Sequence, residues 1–428
     1  MSVLVLLVGM NPLPNWVVFK SLIAPGVPKH LVPDSVLLVH SSNPADKNSA
    51  DVAENLRKQV DASGVTARKV ALNDPRDGKA VRSTVLAAVR REAKDTEVHL
   101  NYTGGTKEMA VSAYAAVTKA AQDRQIRSAT TSYLDVSQHR LRFDDGSFWP
   151  PARDLRSWVS ISLRELLALH DRELLTREEM TGAAPKWQHS ANAIWRLNYE
   201  AGGIAPVYRN WVHSQFARDG QAISIADLPD HGGFTLPAGE PLSSLATALR
   251  QDLKISDASD QITWQDLYTA FGAANKRGRK AVQDDVRKFF PGGWLEYWLR
   301  GQLATRVARH ADWPLRHSVY ARNVAGGTPC ELDLVLLCGY QLFIFSCTTD
   351  PKLAKQKAFE VIHRAQQFGG EEARPLVAVP LDGDGVAKLQ QDVESDFGGA
   401  GNLQIWGLDQ LRDLDRAWAE LLDRERLA

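Results

Sequence analysis

Short apolar runs alternate with amphipathic segments over the first 150 residues of the chain. The apolar runs fill residues 3–8, 35–40, 69–72 and 97–102. Helical periodicity marks the segments 50–62 and 79–93 between them. Continuous apolar runs separated by helices are typical of a parallel sheet covered on both faces. The pattern predicts a doubly wound, Rossmann-like domain over residues 1–153, closed by a hairpin of 128–135 and 139–143.

The pattern changes twice more along the chain. Residues 154–288 are less regular and predict a small helical or winged-helix insert, with helices at 160–170 and 262–274. Residues 289–428 alternate helices and strands again, which predicts a second α/β domain. Its helices are expected at 293–308, 352–368 and 408–427, and its strands at 331–337, 341–347 and 376–379.

Composition and charge narrow the class of protein. The chain has 51 basic and 51 acidic residues and is 44% hydrophobic, which excludes a mainly disordered chain and a uniformly basic nucleic-acid coat. Local basic patches stay compatible with a net charge of zero. The longest apolar runs fall well short of the roughly 20 residues of a membrane span, and the apolar segment 2–9 lacks the basic flank of a signal peptide.

The cysteines indicate a reducing compartment. Cys330, Cys338 and Cys347 are the three cysteines of the sequence, and their odd number and irregular spacing do not suit a disulfide framework. The absence of a CxxC pair makes a structural zinc site improbable. We therefore expect a cytoplasmic protein without membrane association.

A glycine-rich loop follows the apolar run 97–102. Its sequence, Thr103-Gly104-Gly105-Thr106-Lys107, lets the backbone approach a ligand closely and places a lysine at the start of a helix, where anions bind. The Walker spacing is absent. Two glycines alone would mark an ordinary turn, but polar loops at 9–12, 40–43 and 73–75 also follow apolar runs. At the carboxyl edge of one sheet, these loops would form a crevice.

The N-terminal domain resembles the CRISPR-associated Rossmann fold (CARF) family, through its strand-terminal GGTKxM and a first loop of the type Gly-Met-Asn-Pro. The resemblance implies a homodimer that binds a cyclic oligoadenylate across a two-fold axis, with cyclic tetra-adenylate as the expected activator. By match to the family's pattern, the ligand site would contain Met10, Asn11, Pro12, Ser41, Ser42, Thr103, Gly104, Gly105, Thr106 and Lys107.

A second cluster of polar residues lies in the C-terminal domain. Glu331 and Asp333 are two apart on a predicted strand, so they share one face. Two acids on an apolar strand are costly to bury without a cation, and Mg²⁺ or Mn²⁺ bound through carboxylates is a natural partner. Glu296, on the preceding helix, could add a ligand. An exposed strand end with solvated acids is the simpler alternative.

This second cluster resembles the PD-(D/E)xK nuclease core, and its combination with a CARF-like domain resembles the CRISPR ancillary nucleases. The resemblance implies that Asp333 and Glu296 bind a divalent metal. It also departs from the family, because Ser346-Cys347-Thr348-Thr349 stands where an acid and a lysine are expected. Either a lysine of the next helix has taken over the role, or the nuclease is weak or inactive. The expected catalytic residues are Glu331, Asp333, Thr348, Lys355 and Lys357.

The leading hypothesis is a metal-dependent nuclease of type III CRISPR antiviral defence, activated by a cyclic oligoadenylate and acting on DNA or RNA. A non-catalytic regulator is one alternative, with nucleic-acid contacts through Lys276, Arg277, Arg279 and Lys280. A ring nuclease that degrades the messenger is another. The basic cluster itself has a simple alternative, in which its cations lie at the negative C-terminal end of a helix.

Overall fold

The computed structural model describes residues 1–43, 48–91, 95–176, 186–200, 205–218, 221–222, 233–255, 260–397 and 402–427. In this part of the chain, no helix is both long enough and apolar enough to cross a membrane. The N-terminal elements are β1 (Ser2–Val8), α1 (Leu13–Ile23), β2 (Ser35–Ser41), α2 (Ala50–Ala62), β3 (Thr66–Leu72), α3 (Gly78–Arg90), β4 (Glu97–Asn101), α4 (Lys107–Gln122), β5 (Ser128–Asp135), β6 (Arg140–Phe143) and β7 (Phe148–Trp149).

The N-terminal sheet has the topology of a doubly wound fold. Among the described residues its strand order is β3-β2-β1-β4-β5-β6-β7, with β1 parallel to both β2 and β4. The order in which the chain adds strands to the sheet reverses after β3, so β1 and β4 flank the switch point beside which ligands of such folds bind. The predicted alternation and the closing hairpin, β5 with β6, are confirmed.

The remaining elements build a second, mixed sheet covered by helices. They are α5 (Leu163–Leu169), β8 (Arg172–Leu175), α6 (Gln188–Trp195), α7 (Ala205–Phe216), β9 (Ala217–Arg218), β10 (Gln221–Ala222), β11 (Gly233–Thr235), α8 (Ser243–Leu253), β12 (Gln261–Thr263), α9 (Trp264–Ala270), α10 (Lys276–Lys288), α11 (Trp294–Val307), β13 (Leu315–Asn323), β14 (Cys330–Cys338), β15 (Gln341–Cys347), α12 (Pro351–Gly369), β16 (Arg374–Ala378), α13 (Gly383–Phe397), β17 (Gln404–Trp406), α14 (Leu408–Arg412) and α15 (Leu414–Arg424).

The second sheet has the order β17-β16-β15-β14-β13-β8 in the described part of the chain. Its centre is the antiparallel hairpin of β14 and β15, and β16 and β17 add parallel strands. The strand β8 lies within the segment 154–288, yet it pairs with β13 at the edge of this sheet. The helices α6 to α11 pack mainly on one face of the sheet, and α12 packs on the other.

Three predicted elements need correction. The single helix expected at 408–427 is interrupted at Asp413, whose side chain caps α15 by accepting from the Arg416 backbone N–H. The helix expected at 262–274 starts with a short strand and ends at Ala270. The basic cluster 276–280 begins α10 instead of ending a helix, because Asn275 accepts from the Gly278 N–H and caps it.

One continuous core joins the N-terminal sheet to α12 and the second sheet. Leu4 and Leu6 of β1, Trp16 of α1 and Phe368 of α12 are all buried in it. Polar contacts cross the same boundary: His139 Nδ1 lies 3.1 Å from the Tyr340 hydroxyl, and the Arg156 guanidinium donates to Gln341 Oε1 at 2.6 Å. The two sheets therefore belong to one packed body, in which α12 lies between them.

Candidate functional site

A cavity of about 580 Å³ opens where the β14–β15 hairpin meets the start of α12 and the turn between α10 and α11. We call it the cleft. Its lining includes the predicted residues Glu296, Glu331, Asp333, Thr348 and Lys357. Asp285 and Lys288, at the end of α10, also line it and were not predicted. The structure thus brings together most of the residues expected at the second site.

Asp333 is the buried centre of the cleft. Its Oδ2 accepts from the Cys347 backbone N–H at 2.9 Å and from the Ser346 hydroxyl at 3.1 Å. Ser346, which stands in place of the expected acid, and its neighbour Cys347 therefore hold the carboxylate. Their role could not be recognised from spacing, because it depends on how the hairpin closes.

The strand pairing opens around Asp333. The register of β13 with β14 pairs His317 with Leu334 and Val319 with Leu332, and Ser318 between them makes no such pair. Ser318 is buried and has a φ of 48°, a left-handed conformation that is uncommon for a residue with a side chain. Pairing of β14 with β15 ends at Leu334. The local break leaves the Cys347 N–H available to the Asp333 carboxylate.

The electrostatics of the cleft favour a cation. Burial raises the pKa of Asp333 from 3.8 to about 7, the nearby Glu296 carboxylate adds to this rise, and Lys357 opposes it. Burial also opposes the charged form of Lys357, but the charges of Asp333, Glu360 and Glu296 outweigh it and raise the pKa of that lysine. Lys357 Nζ lies 3.8 Å from Asp333 Oδ2. Lys357 alone therefore compensates only part of the carboxylate charge.

The two predicted catalytic lysines have different surroundings. Lys357 lines the cleft, whereas Lys355 points away from it and pairs with Asp396 of α13 at 2.9 Å. Residues two apart on a helix lie about 200° apart around its axis, so both could not face the cleft. Thr348 lines the cleft, but its hydroxyl accepts from the Asp350 backbone N–H at 3.1 Å, which supports the turn into α12.

Glu331 and Glu296 are each oriented by an aromatic neighbour on β13. The Tyr320 hydroxyl donates to Glu331 Oε1 at 2.8 Å, and His317 Nε2 lies 3.7 Å from Glu296 Oε2. In the described ranges, no three His, Cys, Asp or Glu side chains are grouped closely enough to hold a metal ion. The carboxylates of Asp333 and Glu296 still suit Mg²⁺ or Mn²⁺, because such ions keep several waters and need few protein ligands.

If Asp333 binds a metal, Asp333→Asn should stabilise the metal-free protein but remove the stabilisation that the metal provides. Without metal at pH 8, Asp333→Asn should raise the melting temperature by several degrees, since a carboxylate whose pKa rises from 3.8 to about 7 costs about 4 kcal/mol when charged. The gain in melting temperature should shrink as the pH falls from 7 towards 4, because Asp333 of the wild type is then increasingly protonated in the folded protein and no longer carries a buried charge. Added Mn²⁺ should stabilise the wild type but not the variant in thermal denaturation. Equal stabilisation of both would exclude Asp333 as a ligand.

The second predicted site lies at the switch point of the N-terminal sheet. A β-carbon on Gly104 would overlap the Leu7 carbonyl oxygen, and Gly105 has a φ of 75°, so both positions require glycine. A β-carbon on Gly9 would lie 3.2 Å from the Gly105 nitrogen. The loops 9–12 and 102–106 therefore pack against each other at the switch point, where the sequence predicts a ligand crevice.

The predicted ligand residues divide into supporting and exposed groups. Hydroxyls of Ser41, Ser42, Thr103 and Thr106 make local hydrogen bonds, for example Leu134 N–H to Thr103 Oγ1 at 2.7 Å and Met109 N–H to Thr106 Oγ1 at 3.1 Å. Pro12 precedes α1, and the Asn11 side chain accepts from the Leu13 N–H. Met10 and Lys107 are exposed. The exposed side chains among the predicted ligand residues are therefore those of Met10, Thr106 and Lys107.

The predicted nucleic-acid contacts Lys276, Arg277, Arg279 and Lys280 are exposed on the first turn of α10. Cations at a helix N-terminus oppose the helix dipole by about 0.3–1 kcal/mol each, so helix stability does not explain this cluster. Arg279 also lies over the Tyr268 ring, 5.3 Å from its centroid. The opposite end of α10 carries Lys288 at the cleft. The helix thus connects the basic cluster with the cleft.

Comparisons with known proteins add a fold relationship. No protein-family model matches the chain, and no curated protein matches it. Can2 from Sulfobacillus thermosulfidooxidans, solved in complex with cyclic tetra-adenylate, is 17% identical with a TM-score of 0.63 and matches 98% of this chain and 99% of its own. Protein VC1899 from Vibrio cholerae is 14% identical with a TM-score of 0.64 and matches 99% of this chain and 98% of its own.

These matches run through both sheets and nearly the whole length of each chain. At such identities they establish the fold and not the activity. The α/β fold class predicted from the sequence, a Rossmann-like N-terminal domain joined to a second α/β domain, is therefore confirmed.

Proposed function

We propose that this chain is a nuclease effector of type III CRISPR defence that is activated by a cyclic oligoadenylate. The observation that carries the proposal is the presence, in one packed body, of closely packed glycine loops at the switch point and a carboxylate–lysine cleft. The whole-chain fold match to Can2, which was solved with cyclic tetra-adenylate, supports the crevice as the activator site.

The cleft residues suit hydrolysis of a phosphodiester. A divalent metal held by Asp333 and Glu296 would supply Lewis acidity toward water and phosphate. A space of about 20 Å³ beside Asp333, Ser346 and Lys357 has room for one water. The Lys357 ammonium can donate to such a water or to a phosphate oxygen, and the Tyr320–Glu331 hydrogen bond fixes one wall of the site. Water attack breaks one P–O bond and leaves a phosphate monoester and a hydroxyl.

The activity test is direct. Plasmid DNA, single-stranded DNA and RNA are incubated with the protein in Mg²⁺ or Mn²⁺, with and without cyclic tetra-adenylate. Cleavage of at least one substrate should require the activator. Activator binding without any cleavage would contradict the nuclease and favour the non-catalytic regulator, and linear products of the activator itself would favour the ring nuclease.

We propose DNA or RNA contact along α10. Replacing Lys280 with Gln should weaken binding to a cleavage-deficient protein and reduce the slope of log affinity against log salt by about 1, because one phosphate contact is lost. Lys388→Gln, at an exposed position of α13, removes the same charge elsewhere and should leave the affinity and the salt slope unchanged. Fluorescence anisotropy at several salt concentrations measures both quantities. Equal slopes for the wild type and Lys280→Gln would contradict the contact.

We also propose a homodimer through α4. Val111 and Tyr114 lie three residues apart on its outer face, and Val111 is 65% exposed. A symmetric cyclic ligand suits such an isologous interface, since each crevice is then used twice. Val111→Lys should give monomers in sedimentation velocity, whereas the control Val324→Lys, at a position 64% exposed, should stay dimeric. A dimeric Val111→Lys variant would place the interface elsewhere.

A further inference from the structure

A single helix connects the two proposed sites. The 19-residue α12 is about 28 Å long, and its interior from Lys352 to Phe368 contains neither glycine nor proline. Lys357 near its start lines the cleft. Gly370 follows its last residue and lies against Asn11 in the loop after β1. A displacement of one end of this helix therefore reaches the other end with little loss.

The far end of α12 contacts Asn11 in a crevice loop. Gly370 has a φ of 66°, and a β-carbon there would overlap the Asn11 Nδ2 atom. Asn11 cannot move away freely, because its Oδ1 accepts from the Leu13 N–H at 3.0 Å and is thereby fixed to the start of α1. We call this close contact between the Gly370 backbone and the Asn11 side-chain amide the Asn11–Gly370 junction.

The same loop is tied to the glycine-rich loop of the crevice. Asn15 of α1 donates from Nδ2 to the Leu7 carbonyl at 3.0 Å, and its buried Oδ1 has no hydrogen-bond partner within the described ranges. A β-carbon on Gly104 would approach that oxygen to 3.0 Å. A ligand that shifts the backbone of Gly104 therefore acts on Asn15, on α1 and on the loop that carries Asn11.

A second contact holds the end of α12. The Phe368 carbonyl lies 3.0 Å from His170 Nε2, and the Phe368 side chain is buried in the core shared by the two sheets. The end of α12 is thus packed from two sides, so a displacement of Gly370 is passed to the helix. At the other end, Lys357 Nζ is 3.8 Å from Asp333 Oδ2, so a shift of less than an ångström can make or break a hydrogen bond.

We infer that the Asn11–Gly370 junction transmits occupancy of the crevice to Lys357 through α12. The inference rests on the proposed function and adds its route of regulation. Ligand binding repositions the loop 9–12, Gly370 follows, and α12 changes the position of Lys357 relative to Asp333. The junction acts on the coupling between the sites and not on affinity for the ligand.

Gly370→Ala tests the junction in the full-length protein. Its cyclic tetra-adenylate affinity, measured by calorimetry, should stay within threefold of wild type, while activated cleavage should fall at least tenfold. Gly272→Ala is the matched control, because Gly272 has a φ of 67° but open space where its β-carbon would lie, so both quantities should stay at wild-type levels. Wild-type activation in Gly370→Ala would overturn the inference.

A measurement on the wild type decides the case if Gly370→Ala fails to fold. Hydrogen exchange at residues 366–372 should change when cyclic tetra-adenylate is added. Binding of the nucleotide without such a change would overturn the junction. A wild type that binds the nucleotide but is not activated contradicts the proposed function instead, and the exchange result still decides whether the helix end responds.

Discussion

Asp333→Asn is expected to lower activated cleavage about a thousandfold or more, equivalent to about 4 kcal/mol in the barrier, and to leave cyclic tetra-adenylate binding within threefold. The reason is geometric. Asp333 is a buried carboxylate of the cleft, and the Ser346 hydroxyl and Cys347 N–H direct its Oδ2. An amide of the same shape keeps the fold but loses the charge that a cation needs.

Asp396→Asn is the matched control, since Asp396 is half-exposed on α13 and pairs with Lys355 outside the cleft. Rates come from single-turnover cleavage and affinities from calorimetry. Normal cleavage by Asp333→Asn would remove the cleft from consideration as the active site. Loss of both cleavage and ligand binding would contradict the separation of the two sites.

Lys357→Met is expected to reduce activated cleavage about a hundredfold, while Lys355→Met should stay within threefold of wild type. Lys357 is the one of the two that lines the cleft and lies near Asp333. Lys355 forms a solvent-accessible pair with Asp396, and such pairs contribute little. The two variants remove the same charge from the same helix, so the ratio of their cleavage rates reports the effect of the position of the ammonium group.

The lysine comparison is read from single-turnover rates at saturating activator, with circular dichroism to check the fold. The reverse order of effects would mean that the helix adopts another rotation in the active state. Wild-type rates for both variants would leave the cleft without a catalytic lysine and would contradict the hypothesis that a lysine of α12 has taken over that role.

The layout of the chain could be predicted because its signals are local. Buried parallel strands appear as continuous apolar runs, and polar loops follow them where the strands end. The switch point between β1 and β4 then brings the loops 9–12 and 102–106 together, as expected. The hairpin of β14 and β15 was predicted within one residue at each end, since its apolar strands flank a Gly-Tyr turn.

The contacts of single side chains could not be predicted in the same way. The choice between Lys355 and Lys357 depends on the rotation of α12 on its sheet, which helical periodicity alone does not specify. The strand β13 carries mixed polar residues and a left-handed Ser318, so it has no strand pattern, and with it Tyr320 and His317 were missed. In contrast, the Asn275 cap of α10 was a readable signal that the basic cluster starts a helix.

We propose that one ligand in the crevice controls chemistry in the cleft. The measurement that tests it most directly is the single-turnover cleavage rate as a function of cyclic tetra-adenylate concentration, at fixed metal. We expect a saturable rise of the cleavage rate from near zero, with a half-maximum at the dissociation constant measured by calorimetry in Asp333→Asn. A cleavage rate that does not change with activator concentration, while the nucleotide still binds, would contradict it.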